Sequence, residues 1–250
     1  MQQQIDFTLG LLMADGSFQI NHWKKKYLQY RIIIKFKNVP ENIKMLQDLR
    51  SHFKIGTINI NQHNVLWAIN HKKDVTYFLT LIKNHPLLHL KTKTHTTILK
   101  MIYALDHKMS YNEYQFLKEK ENQGQWLWPC NKPQQKKNLT SFNENMKWWF
   151  VGFAEAESSF CIRKNGNQSW SISQKDDRQI LESIKLYFEL PNKILKKKCG
   201  TYVLETYNLK SCICLVQFFD NYSLKGDKNV SFQLFKRHLL SKQQSLKCRV

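Results

Sequence analysis

Long apolar runs are missing from this chain. None of its 250 residues lies in an uninterrupted apolar stretch of about 18, so no membrane-spanning helix is expected. The opening MQQQIDF has neither the basic nor the apolar region of a secretory signal, and an intracellular protein is expected. No CxxC pair occurs among the cysteines at 130, 161, 199, 212, 214 and 248, and no histidine pattern accompanies them. They read as free thiols of a reducing compartment, and the alternating Cys212 and Cys214 as core or strand packing. The segment HPLLH, with His85 and His89, lacks the glutamate of a zinc-protease helix and reads as structural or phosphate-facing.

Acidic side chains are scarce as well. Asp and Glu number 19 against 39 Lys and Arg, a net charge of +20 spread along the chain rather than gathered in a tail. Disorder is excluded, because 42% hydrophobic and 13% aromatic residues suffice to build cores, and 250 residues leave room for two domains. Excess positive charge on a folded chain points first to nucleic acid and second to an anionic membrane surface. Richness in Lys, Asn, Ile and Phe suggests an AT-rich coding sequence, as in an organelle.

What is present is a motif that occurs twice. Thr8–Phe18 reads TLGLLMADGSF and Phe150–Phe160 reads FVGFAEAESSF. In each, an apolar helix carries Gly and, four residues on, Ala: Gly10 and Ala14, Gly152 and Ala156. Small residues at that spacing share one helix face and admit a second helix closely. A carboxylate follows at once, Asp15 or Glu157, at the negative end of the helix dipole, where an anion is disfavoured. Two such ends brought together add like-charge repulsion, and a bound divalent cation removes both penalties.

The surroundings of the motif repeat too. Ser17–Trp23 and Leu28–Lys37 alternate as strands, with Tyr30, Ile32, Ile34 and Phe36 on one face. Ser17, Gln19, Asn21, Gln29, Arg31, Lys35 and Lys37 fall on the other. A helix from Pro40 to about Phe53 follows, then two strands whose polar sides carry Thr57, Asn59, Asn61, Asn64 and Asn70. Helices are predicted near residues 72–84, 92–105 and 111–121. Periodicity fails from 122 to 145, where Gly124, Pro129, Pro133 and the QQKKN run read as a linker onto which Trp126, Leu127 and Trp128 can dock. The order then recurs: a motif helix over about 143–157, strands at 159–164 and 168–174, and a helix at 177–188. Strands near 193–197 and 202–207 and helices near 209–221 and 227–240 complete it. Domains are therefore drawn at 1–121 and 146–250, with a linker at 122–145. The two carboxylates are 142 positions apart (157 − 15), and the chain is an internal duplication.

With these residues in view, the two motifs resemble the signatures of the LAGLIDADG homing endonucleases in their single-chain, two-motif form. The resemblance covers nearly the whole chain; the second motif departs in having Ser158 in place of the usual Gly, while Glu157 in place of Asp is similar to many second motifs of the family. It implies an α+β fold of two pseudo-symmetric αββαββα domains. Their antiparallel sheets would form a DNA-binding saddle, with the motif helices packed at the domain interface. It also implies Mg²⁺-dependent cutting of both strands of a long double-stranded DNA target, with short 3′ overhangs. Mn²⁺ would substitute, and Ca²⁺ would bind without supporting cleavage.

Asp15 and Glu157 would be catalytic and metal-binding, with the carbonyls of Ala14 and Ala156 as further ligands. The segments PLLHLKTK and YSLKGDK resemble those that carry a lysine near the phosphate, which nominates Lys91 (fallback Lys93) and Lys225 (fallback Lys228). Gln174, at the end of a strand, matches the residue that orders the water network; its counterpart in the first half is Phe36.

The polar strand faces are the expected base readers, because amides and guanidinium match base edges. In the second half they comprise Ser159, Arg163, Ser169, Ser171 and Ser173, joined by Lys196. A monomeric endonuclease on double-stranded DNA is the leading reading. An RNA-binding maturase assisting its host intron, or a DNA-binding relative without cleavage, would use the same scaffold. The presence of both acidic positions favours cleavage, since binding alone gains nothing from carboxylates near phosphates.

Overall fold

The computed structural model describes residues 1–83, 85, 93–126, 128, 144–175 and 177–247. Within them the chain is α+β, and the order αββαββα is traversed twice, each time followed by further helix. Helix α1 (Gln2–Asp15) leads to β1 (Ser17–Trp23), β2 (Tyr27–Lys37), α2 (Pro40–Phe53), β3 (Thr57–Ile60), β4 (Asn64–Ile69) and α3 (Lys72–Ile82). Helices α4 (Lys93–Asp106) and α5 (Tyr111–Asn122) close the first repeat. The second runs α6 (Glu144–Glu157), β5 (Ser158–Ile162), β6 (Gln168–Lys175), α7 (Arg178–Tyr187), β7 (Leu195–Lys196) and β8 (Thr201–Thr206). It ends with α8 (Leu209–Asn221) and α9 (Lys228–Lys247). Both sheets are antiparallel with one topology, β1-β2-β4-β3 and β5-β6-β8-β7.

Two compact units result. One holds Asp15–Asn38 and the described part of Leu46–Asn138. In its sheet Ile32 faces Phe18 and Ile69 across the strands, and Ile34 faces Trp67, all of them buried. Helix α3 turns Val75, Phe78, Leu79 and Ile82 inward at helical spacing. Trp67 is enclosed by Phe53, stacked at 5.8 Å, and Phe78, edge-on at 6.2 Å, and its Nε1 donates to the Ile55 carbonyl at 3.0 Å. Helix α5 begins with a capping box in which Ser110 and Glu113 satisfy each other's main-chain N–H. Trp128 docks in the core beside Tyr103 and Tyr114.

The other unit holds Met1–Ala14, Val39–Met45 and the described part of Leu139–Val250. Its core is a phenylalanine cluster. Phe150 packs on Phe188, Phe218 and Phe219, and Phe160 packs on Phe219, Phe232 and Phe235. Helix α7 starts where Asp177 accepts from Gln179 N and Ile180 N, and it buries Ile180, Leu181 and Ile184. Cys212 and Cys214 lie on helix α8 rather than on a strand, so two residues of separation leave one buried and the other exposed.

Compact unit and sequence repeat are thus different divisions. Domains at 1–121 and 146–250 assign α1 to the first repeat, whereas packing joins α1 to the unit of the second sheet. The reason is its contact with α6. Helix α1 is buried from Ile5 to Met13 on all sides. A Cβ on Gly10 would overlap the Trp149 carbonyl and stand 2.7 Å from Phe153 N. A Cβ on Gly152 would overlap the Phe7 carbonyl and stand 3.1 Å from Leu11 N. The two sets interchange under a shift of 142 positions (152 − 10, 149 − 7, 153 − 11), so each helix meets the other through equivalent residues.

Gly10→Ala and Gly152→Ala each gain up to about 1 kcal/mol of helix propensity. The obstacle is main chain, which has no rotamer to move aside, so a net destabilisation of about 1–3 kcal/mol is expected. A urea midpoint lowered at unchanged m-value checks this; an unchanged or raised midpoint contradicts the contact.

Candidate active site and nucleic-acid interface

Both motif helices end on their carboxylates. Asp15 closes α1 and is exposed; Glu157 closes α6 and is half-buried, accepting from Ser173 Oγ at 3.3 Å. The last turn of a helix leaves carbonyls without intrahelical donors. One of these, on Met13, accepts a long 3.5 Å bond from Gln174 Nε2, so Gln174 reaches the end of α1 from β6. Ala14 and Ala156 are half-buried in the same terminal turns. The donors at each helix end are oxygens: a carboxylate and the carbonyls of the last turn. Among the described residues no group of three His, Cys, Asp or Glu side chains is gathered. A hard cation that takes few protein oxygens and keeps its waters, such as Mg²⁺, fits such donors, and a thiolate- or imidazole-seeking metal does not.

A second carboxylate on α6, which the sequence reading passed over, is fully buried. Glu155 accepts from Lys225 N at 2.9 Å and Lys228 N at 3.2 Å, and also from Gly226 N. Asn42, near the start of α2, accepts from Asp227 N at 2.9 Å. At Gly226 a Cβ would stand 2.6 Å from Asn42 Oδ1 and 2.7 Å from Glu155 Oε1, so either side chain would have to shift to admit one. The loop that opens α9 is therefore held by its main chain. Burial pushes the Glu155 carboxyl up to about 7, while the bonds from Gly226, Lys225 and Lys228 pull it down.

The root of Lys225 lies beside this last turn of α6, but its ammonium points back along the helix pair. It donates to Gln4 Oε1 at 3.1 Å and lies over Phe7 at 4.3 Å and Trp148 at 5.4 Å. At 1.5 Å per residue, Trp148 is about 13 Å along α6 from Glu157. Lys228 offers its main chain to Glu155 at the first turn of α9. Lys91 and His89 lie outside the described residues, as does the side chain of Lys93.

Register sorts the expected base readers. In the first sheet Gln19 pairs with Arg31 and Asn21 with Gln29, on one face with Ser17, Lys35, Lys37, Thr57 and Asn59, and Asn70 continues that side beyond β4. Bonds from Gln19 to Ser17 at 2.9 Å and from Asn59 to Thr57 at 3.4 Å run along the same face. Arg31 Nε is buried and makes no hydrogen bond. Asn61 lies just beyond β3, where its Oδ1 accepts from His63 N and Asn64 N and so builds the β3–β4 turn. The β1–β2 tip was not foreseen. There Lys24 and Lys25 take φ of 48° and 55°, between exposed Trp23 and Tyr27.

In the second sheet Ser159 pairs with Ser171, on the face that also holds Ser173. Ser169 is buried at 4% exposure, and so is not open to a groove. Lys196 pairs with Tyr202 on the opposite face, its ammonium 5.4 Å from the Tyr202 ring. Arg163 is bound to Glu205, an acidic residue on this face that the sequence reading omitted.

The fold and these sites define a class: a two-repeat α+β chain in which paired motif helices end in carboxylates and two sheets present polar faces. The chain belongs to the LAGLIDADG endonuclease family, whose model matches residues 8–104 and 150–239, one match in each repeat. It is 35% identical to the probable intron-encoded endonuclease aI3 of Dictyostelium citrinum, over 92% of this chain and 93% of that protein. The protein of that name from Kluyveromyces lactis is 31% identical over 92% of this chain, which spans 63% of its length. Among solved structures, meganuclease I-SmaMI bound to uncleaveable DNA superposes with a TM-score of 0.76 at 17% identity, covering 98% of this chain and 92% of that one. The LAGLIDADG meganuclease I-CpaMI bound to uncleaved DNA gives 0.72 at 18%, with 97% of both chains covered.

Glu155 also yields a pH prediction. Its folded value of about 7 lies above its ordinary 4.5, so its contribution to stability is complete below 4.5 and is lost as pH rises through 7. In chelator-treated buffer the unfolding midpoint of the native chain, relative to Glu155→Gln, should rise as pH falls from 8 to 5. A difference that does not change with pH refutes the assignment.

Proposed function

We propose that the chain is a site-specific homing endonuclease, acting as a monomer, that makes a double-strand break in a long DNA target by Mg²⁺-dependent hydrolysis with short 3′ overhangs. The observation that carries this reading is the carboxylate at the end of each of two equivalent motif helices, retained in both repeats. Binding alone would be weakened by these two charges near phosphates, so their presence is explained by the chemistry. The DNA-bound state of the structural relatives supports DNA as the partner. The intron-encoded relatives support an organellar, intron-borne gene.

In this reading Asp15 and Glu157 hold the cation, with carbonyls of Ala14 and Ala156 beside them. Bound Mg²⁺ supplies charge neutralisation at the phosphate and a more acidic water. Ser173 fixes the Glu157 carboxylate, and Gln174 orders solvent at the end of α1. Lys228, the alternative to Lys225, whose ammonium is turned toward Gln4, and Lys91 in the other half offset charge on the phosphate. The amide, hydroxyl and guanidinium groups of the strand faces read bases.

Asp15→Asn and Glu157→Gln each remove a charged ligand while keeping shape and hydrogen bonding. On a duplex that the native chain cuts in Mg²⁺, either change should lower double-strand cutting by at least about 100-fold, the scale of losing one electrostatic contact to the transition state. Binding, followed by gel shift, should persist. A variant that cuts both strands at the native rate refutes the site. A native chain that binds a host-intron transcript and never cuts DNA favours the maturase instead.

A further inference from the structure

Arg163, just beyond β5, is the one guanidinium on the polar face of the second sheet among the described residues of its strands and their turns. Its Nη2 donates to Glu205 Oε1 at 3.3 Å and to the Tyr207 hydroxyl at 3.1 Å, and its plane lies 4.7 Å from the Tyr207 ring centre. Tyr207 in turn donates to Glu205, which closes a triangle of three side chains. All three are solvent-accessible, with side-chain exposures of 48% for Arg163 and 30% for Glu205. An exposed ion pair contributes little to folding. What this one does is hold a long side chain, otherwise rich in rotamers, in one orientation on the face that also carries Ser159 and Ser171.

We infer that Arg163 and Glu205 together read one G·C base pair of the target, with Tyr207 as the platform that orients the guanidinium; this rests on the endonuclease reading above. Guanine is the base that offers two acceptors and no donor in the major groove, and Arg163 offers donors alone: those of its Nη1, at the end of the guanidinium, have no partner among the described residues. The cytosine of the same pair presents an amino donor, and Glu205 is the acceptor beside the guanidinium. A negative charge on a phosphate-binding surface lowers affinity for every sequence. Its place there is explained when it discriminates between sequences.

The test is selection of bound duplexes from a randomised double-stranded DNA library by the full chain, in chelator-treated buffer, followed by sequencing. The native chain should fix a G·C pair within its site. Arg163→Ala should make that position degenerate, with discrimination falling on the order of 10- to 100-fold while the other positions stay fixed. Glu205→Gln should relax the same position while overall affinity rises, a divergence that loss of a merely structural contact would not give. Unchanged thermal midpoints establish that both variants fold. A consensus that Arg163→Ala leaves intact, or weakens evenly at every position, overturns the proposal alone. A native chain that selects no sequence overturns the endonuclease reading and this proposal with it.

Discussion

Two helices in this chain touch backbone to backbone. At Gly10 and at Gly152 there is no room for a single methyl group, because the space a Cβ would fill holds a carbonyl of the opposing helix. Close packing of this kind admits no sliding, since any shift brings a side chain from a neighbouring position into the same carbonyl. The relative placement of α1 and α6 is thereby set by sterics at two residues. The contact is self-complementary in the manner of an isologous dimer interface, although both surfaces belong to one chain. Within the same unit the last turn of α6 also carries the glutamate that holds the loop opening α9.

Equivalence in the helix contact does not extend to the residues around it. Position 155 is a buried glutamate that gathers main-chain N–H groups from the start of α9. The position 142 residues earlier is Met13, whose sulfur accepts from Trp149 Nε1 at 3.3 Å. A carboxyl that organises a loop on one side is thus replaced by an apolar contact on the other. Glu157 is half-buried and bonded to Ser173, while Asp15 is exposed. Gln174 reaches a helix-end carbonyl, and Phe36 stands at its counterpart. Ancestral symmetry persists where backbone contact demands it and has relaxed where side chains suffice.

The repeat, the strands and the helix pairing were legible in the sequence because they rest on periodicity and on small residues at fixed spacing. Helix α7 announced itself through Ile180, Leu181 and Ile184, and the first sheet through the alternation from Tyr30 to Phe36. Partnerships made through the main chain left no such mark. Nothing in FAEAESSF distinguishes Glu155, which binds backbone 70 residues away, from Glu157, which ends the helix. Register was equally hidden: Lys196 reads as a basic strand residue until its pairing with Tyr202 turns it to the other face. Asn61 reads as an amide on a strand until its role in a turn is seen. Compact units also departed from sequence repeats, because the glycine contact that binds α1 to α6 outweighs chain continuity.

The central claim is that the paired helix ends are a place of phosphodiester hydrolysis, and that basic charge and polar strand faces serve to bring one DNA sequence to it. Its most direct test is to incubate the native chain with a randomised duplex library in Mg²⁺ and sequence every end produced. One recurrent long site is expected, with both strands cut and short 3′ overhangs. Ends scattered without a consensus, or no ends at all, would contradict it.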